Sequence, residues 1–208
     1  MKNKALIFLN GNAPEVMTLR KIDFSASFVI CADGAYNYLR GFYRPDLVIG
    51  DFDSLQSDLP ADIDFEKYPV KKDYTDSQLA LRRAVELGYK DIEIYGAFGD
   101  RPDHVMVNYS LLALADKMNC RAAISGEKFD VYYVTCEKPF IKTVESGKTV
   151  SLVPYSDRAH ILYTKGLMFD ARDVWVDKTA VFTTSNVATG GTVEYVLKDG
   201  TALLFVEN

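Results

Sequence analysis

Asp46-Leu47-Val48-Ile49-Gly50-Asp51-Phe52-Asp53-Ser54 sets a short apolar run directly against two carboxylates. Leu47 to Ile49 read as a buried strand, and Gly50 ends it by permitting a turn that a residue with a Cβ would resist. Asp51 and Asp53 follow at spacing two, which points both side chains to one side if the chain stays extended. Two unit charges about 4 Å apart repel by roughly 4 kcal/mol at an effective dielectric of about 20. A partly buried Asp-x-Asp therefore wants a cation. Magnesium fits, because it prefers hard oxygen ligands and commonly takes one or two carboxylates together with substrate phosphates. An isolated Asp-x-Asp also reads as a solvated turn in which each side chain bonds a nearby amide, so the neighbours must decide.

The chain has 208 residues, of which 48% are apolar, enough for one large domain or two modest ones with a real core. Its formal net charge of −5 includes no basic stripe with interleaved aromatics, which argues against an extended nucleic-acid surface. Cys31, Cys120 and Cys136 lie in apolar, strand-like surroundings with no close pair, and read as reduced core thiols rather than a disulfide framework or zinc site. Ala5 to Leu9 is too short for a secretory core segment before Asn10-Gly11-Asn12 interrupts it, and no membrane-spanning run follows. The expected location is the cytoplasm.

Working outward, Lys4 to Leu9, Ser27 to Ala32, Phe65 to Val70 and Asp91 to Tyr95 are further strand candidates. Thr75-Asp76-Ser77-Gln78 forms a capping box, so a helix starts there, with Leu81, Ala84, Val85 and Gly88 at helical spacing. Asp76 falls in its first turn, where a negative charge is favourable in any case. Pro102 suits the first position of a second helix that places Val105, Asn108, Leu111 and Leu112 on one face and ends near Met118. Strands alternating with helices predict a mostly parallel α/β sheet, Rossmann-like, over residues 1–137. Ligands bind outside the carboxyl ends of such strands. Asn10, Asp33, Asp51, Asp53, Asp73, Asp76, Asp100, Arg101 and Asp103 all fall in post-strand segments, and one convergence would explain them together.

After Pro139 no long helical period survives. Short strands are expected at Phe140 to Val144, Thr149 to Pro154, Ala159 to Tyr163, Ala180 to Thr184, Thr192 to Leu197 and Ala202 to Val206, making residues 138–208 an all-β domain. Ser146-Gly147-Lys148 and Lys198-Asp199-Gly200 read as hairpin turns. Gly147-Lys148-Thr149 is no phosphate-binding loop, since Lys142 stands where the first glycine is required and a strand follows. His104 and His160 are too few and too separated for a metal site or a hydrolytic triad.

The ordered set Cys31-Ala32-Asp33-Gly34, Gly50-Asp51-Phe52-Asp53-Ser54, Lys72-Asp73-Tyr74-Thr75-Asp76, Gly96 to Asp103 with Asn108, and Thr184-Ser185-Asn186 resembles the thiamine pyrophosphokinase family over essentially the whole chain. The resemblance implies Mg2+-dependent transfer of a pyrophosphoryl group from ATP to thiamine, giving thiamine diphosphate and AMP. It also implies an α/β catalytic domain that binds ATP and Mg2+, a following thiamine-binding β-sandwich, and a homodimer. By matching position, Asp51, Asp53 and Asp76 correspond to the catalytic metal centre, and Asn10, Asp33, Lys72, Asp73, Arg101 and Asp103 to the ATP site. Ser185, Asn186 and Phe169 correspond to the thiamine side, although relatives often carry Lys followed by Tyr or Trp where this chain has Met168-Phe169. Two other classes compete: a non-catalytic sensor of thiamine diphosphate or a nucleotide, and a nucleotidyl or sugar-phosphate transferase on a similar sheet. The full acidic set speaks against the sensor, which has no need to hold a metal between two substrates.

Overall fold

The computed structural model describes residues 2–208 and divides into two compact units, one running through Glu127 and the other from Lys128 to Asn208. The first is built on six strands: β1 (Lys4–Phe8), β2 (Ser27–Ala32), β3 (Leu47–Gly50), β4 (Phe65–Lys67), β5 (Asp91–Tyr95) and β6 (Arg121–Ser125). They lie in the order β6-β5-β1-β2-β3-β4, and every neighbouring pair is parallel. Ala5 to Phe8, Val29 to Ala32 and Leu47 to Ile49 are buried without alternation, the pattern of strands covered on both faces. From β1 the chain lays β2, β3 and β4 to one side, then returns to place β5 on the other, so the strand order reverses at β1. That reversal opens a crevice beyond the carboxyl ends of the strands.

Four helices join them: α1 (Val16–Lys21), α2 (Ala35–Leu39), α3 (Asp76–Glu86) and α4 (Pro102–Lys117). The capping box forms as the sequence predicts, with Thr75 Oγ1 accepting from Gln78 N at 3.3 Å and Gln78 Oε1 accepting from Thr75 N at 3.2 Å. α3 buries Leu79, Ala80, Leu81 and Ala84, while Val85 is only partly covered and Gly88 lies beyond the helix end. β4 is shorter than expected, because after Tyr68 N donates to Gly50 O at 2.8 Å the chain reaches Pro69, which has no N–H to continue the ladder.

The second unit is antiparallel throughout. Its strands are β7 (Phe129–Thr135), β8 (Phe140–Val144), β9 (Thr149–Pro154), β10 (Arg158–Lys165), β11 (Arg172–Asp177), β12 (Asn186–Val187), β13 (Gly191–Asp199) and β14 (Thr201–Glu207). β12-β9-β14-β7 form one set and β11-β10-β13-β8 the other. Val150, Leu152, Ile161, Val176, Tyr195 and Leu204 from both sets share one apolar cluster. β7 belongs here because its whole length pairs with β14.

Several expectations are corrected. Arg172–Asp177 is a strand absent from those expected: as an edge strand it buries only Val176, and charges on its exposed positions mask the β pattern. Ala180 to Thr184 is not a strand. Only an isolated bridge from Ala180 to Asp177 is present, and Thr183 is tied to Leu152 by bonds of 2.9 and 2.6 Å. Neither expected hairpin forms, since β8 pairs with β13 and β14 with β7 and β9; both turns instead carry the chain from one strand set to the other. Cys31 and Cys120 are buried free thiols, but Cys136 is exposed. No helix among the described residues is long and apolar enough to cross a membrane.

Gly200 makes the second crossing at φ +75°, and a Cβ there would lie 2.4 Å from the backbone oxygen of Arg158. Gly147, at φ +88°, faces open space. Gly200→Ala should therefore destabilise the protein by about 2–4 kcal/mol, against about 1–2 kcal/mol for Gly147→Ala, where only the left-handed backbone is penalised. Denaturant melts of the two variants side by side check the order.

Candidate active site

The loops at the carboxyl ends of the parallel strands enclose a cleft of about 790 Å³. Asn10, Asp33, Asp51, Asp53, Lys72, Asp73, Asp76, Asp100 and Arg101 all line it, as do His104 and Asn108. Asp103 does not appear among the lining residues.

Three carboxylates converge at the ends of β2 and β3. Asp33, Asp51 and Asp53 each offer an oxygen within 4.8 Å of the others. Asp33 sits just past β2 in the left-handed region, φ 47°, and its N donates to Ile49 O at 2.8 Å. Gly50 permits this approach: its Cβ would lie 3.0 Å from that of Asp33. The stretch after β3 is not extended. Phe52 adopts φ 69°, unusual for a bulky residue, and its ring packs edge-on to Phe65 at 5.8 Å. Asp51 and Asp53 thus meet through a turn rather than through the alternation of a strand.

Asp33 is 6% exposed, and its Oδ1 is buried with no hydrogen-bond partner. An unpartnered buried carboxylate oxygen is costly unless a proton or cation satisfies it. Hard oxygen donors at this spacing fit a divalent ion such as Mg2+.

Asp76 reaches the cluster through a lysine. Lys72 Nζ lies 2.8 Å from Asp51 Oδ2 and 2.9 Å from Asp76 Oδ1, with the Lys72 and Asp51 side chains both 11% exposed. The Lys72 hydrogen bond holds the Asp51 carboxyl below its ordinary value. Burial pushes Asp76 up against the opposing pull of Lys72. Burial also works to lower the Lys72 ammonium, but its hydrogen bond to Asp51 and its ion pair with Asp76 prevail and raise it. The capping box places Asp76 at the first residue of α3, facing this lysine one helical turn before it in sequence.

The opposite wall comes from the loops after β1 and β5, joined by Gly11 N to Gly96 O at 3.0 Å and Asn12 N to Phe98 O at 2.6 Å. Asn108, the polar residue on the α4 stripe, donates from Nδ2 to Ala97 O at 2.8 Å and ties the second loop to the helix. At the rim, Arg101 grips Asp103 with contacts of 3.3 and 2.6 Å, which raises the guanidinium and lowers the carboxyl. His104 and Val105 line the cleft without having been singled out for it; their position in the first turn of a helix that opens at a strand's carboxyl end was the available signal.

In the second unit Phe169, Ser185 and Asn186 come together. Asn186 accepts from Phe169 N through Oδ1 at 3.2 Å and donates from Nδ2 to Phe169 O at 2.8 Å. Its Oδ1 also accepts from Val187 N at 2.9 Å. Ser185, at φ 57°, donates its N–H to Ser151 Oγ at 2.8 Å. Phe169 is 70% exposed, so its side chain is not a core ring.

The family model for "Thiamin pyrophosphokinase, catalytic domain" matches residues 19–124. Thiamine pyrophosphokinase of Bacillus subtilis is 26% identical over 147 residues, covering 68% of this chain and 69% of that protein. Thiamin pyrophosphokinase 1 of Caenorhabditis elegans is 22% identical over 213 aligned positions, covering 96% and 86%. The crystal structure of the Bacillus subtilis enzyme superposes with a TM-score of 0.87 at 21% identity, covering 99% of each chain, and so shares the fold. The stretch matched by the family model makes up just over half of the sequence and contains the three converging carboxylates, Lys72, Asp76 and the facing-wall loop after β5; the chain belongs to the thiamin pyrophosphokinase family.

Proposed function

We propose that this protein transfers the pyrophosphoryl group of ATP to the hydroxyethyl oxygen of thiamine, releasing AMP and thiamine diphosphate. The observation that carries the reading is the unpartnered Asp33 Oδ1, buried among the carboxylates of Asp51 and Asp53 in a cleft large enough for a nucleotide. Asp51, Asp53 and Asp76 would hold Mg2+, with Asp33 beside them offering a further carboxylate oxygen. When bound, Mg2+ neutralises and orients the polyphosphate oxygens. Phosphoryl-type transfer depends mainly on positioning and electrostatics. Lys72 and Arg101 bring positive charge to the polyphosphate, Asn10 and Asp73 serve the nucleotide side, and Asp103 acts from the rim by holding Arg101. In the transfer the thiamine hydroxyl oxygen bonds to the β-phosphorus and releases its proton to water, the bond from the β-phosphorus to the α,β-bridging oxygen breaks, and AMP leaves with that oxygen.

Within this reading the first unit is the Rossmann-like ATP and Mg2+ domain, and the second is a β-sandwich that binds thiamine through Phe169, Ser185 and Asn186. A cationic thiazolium suits both the acidic cleft and an exposed aromatic face. Free thiols at Cys31 and Cys120 support a reducing, cytoplasmic setting. Exposed Ile141, Met168, Phe169 and Phe182 on the second unit support a homodimer, and sedimentation equilibrium should return twice the chain mass; a monomer active at full rate would contradict it.

Asp33→Asn, Asp51→Asn and Asp53→Asn should each lower the rate of AMP formation by roughly 100-fold or more. Their far-UV spectra should stay unchanged. Near-normal turnover in all three would reject the metal centre. Phe169→Ala should raise the thiamine KM by about 2- to 30-fold, the range for losing a ring face on a cation, with the ATP KM and the melting temperature hardly moved. Steady-state kinetics with each substrate varied in turn separate these effects.

A further inference from the structure

We infer that Glu127 is a positioning residue for the nucleotide: from just beyond the end of β6 its carboxylate caps α1, and so holds the loop of residues 10–14 in the wall of the cleft. This role rests on the reading of that cleft as an ATP site. Asn10, Gly11 and Asn12 line the cleft, yet the segment that follows them has little of its own to keep it in place. α1 spans only Val16–Lys21 and buries a single residue, Leu19, so it is too short to be stable by itself. Its N-cap, Glu15, makes no side-chain cap bond, and its first turn carries no acidic residue. The free N–H groups at its start thus lack the usual local acceptor.

Glu127 supplies that acceptor from 112 positions away in the chain. Its Oε1 accepts from Glu15 N at 2.6 Å and its Oε2 from Thr18 Oγ1 at 2.8 Å, so one carboxylate spans the whole first turn of the helix. A negative charge is favourable at that end of a helix as well. β5 lies between β6 and β1 in the sheet, and the bond therefore runs from the segment after one parallel strand to the segment after another. The loop is held at both ends: Gly11 N and Asn12 N donate to the carbonyl oxygens of Gly96 and Phe98, and the start of α1 is held by Glu127. Both Glu127 contacts are exposed, so removing them loosens the loop and leaves the buried core of the unit untouched. A loop that is in place for only part of the time lowers the apparent affinity for ATP by that fraction. Complexes that do form react as before.

Steady-state AMP formation by the full chain, together with amide hydrogen exchange read by mass spectrometry, tests this. Glu127→Ala should raise the ATP KM by about 2- to 30-fold, the range of a lost helix cap, with kcat, the thiamine KM and the melting temperature hardly moved. Exchange across residues 9–21 should quicken in that variant, and ATP with Mg2+ should slow it again. Glu127→Gln should stay near the wild type in both readouts, because its amide can accept from Glu15 N and donate to Thr18 Oγ1. Thr18→Val removes one of the two contacts and should raise the ATP KM less; it decides the matter if the alanine variant does not fold. An unchanged ATP KM in Glu127→Ala and Thr18→Val, with an active wild type, would overturn the inference while leaving the ATP reading intact. A fall in melting temperature or kcat alone, with the ATP KM unmoved, would make Glu127 a support for the fold only and would also overturn it. A wild type that forms no AMP from ATP and thiamine would remove the ATP reading itself and this inference with it.

Discussion

Mutual repulsion among carboxylates at the ends of two adjacent parallel strands is the constraint around which the first unit is arranged. Asp33, Asp51 and Asp53 present oxygens within 4.8 Å of one another, and Asp76 is linked to them through Lys72. At an effective dielectric of about 20, each pair of unit charges at that separation costs roughly 3–4 kcal/mol. A flexible loop would relieve this by moving apart. Here the backbone prevents it: Asp33 is anchored by its bond to Ile49, and Asp51 by Lys72. The repulsion is thereby kept as an affinity for positive charge, supplied in part by Lys72 and in part by whatever cation enters the cluster.

The sheet provides the rigidity this requires. β2 and β3 pair in parallel register with their apolar residues buried, so their ends are fixed relative to each other by ladder hydrogen bonds and by the core beneath. The two loops of the facing wall are held by backbone bonds across the β1/β5 reversal and by the amide of Asn108. The carboxylates are concentrated on one wall, and the other is formed by the glycine-bearing loops with Arg101 at its rim, a division suited to a ligand with a polyphosphate at one end.

Much of this arrangement was legible from the chain, for identifiable reasons. Continuous apolar strands and the Thr75–Gln78 box are local signals, so the parallel strands and the start of α3 followed from them directly. The convergence of post-strand aspartates followed from the strand ends. Strand order did not, because connection lengths do not say on which side of β1 the chain returns. The φ of Phe52 was hidden as well, since nothing in Asp-Phe-Asp separates an extended stretch from a left-handed turn. The glycines at 147 and 200 signalled turns correctly, but turn chemistry does not specify which strands are paired, and both turns cross between strand sets. Lys72 was singled out by its place in the motif, but its reach to both Asp51 and Asp76 is a matter of tertiary geometry that the sequence does not carry.

The pairing of Asn186 with Phe169 has a consequence for conformational entropy. Both backbone polar groups of Phe169 are bonded to one side-chain amide, so the turn is ordered although its ring lies in solvent. Fixing a free backbone residue costs about 1–2 kcal/mol, and here that cost is met during folding, leaving only the two side-chain torsions to be ordered when the ring is covered. Any ligand that stacks on this ring meets a surface already in place. Asn186, with its amide committed to Phe169 and Val187, can then strengthen recognition without touching the ligand at all.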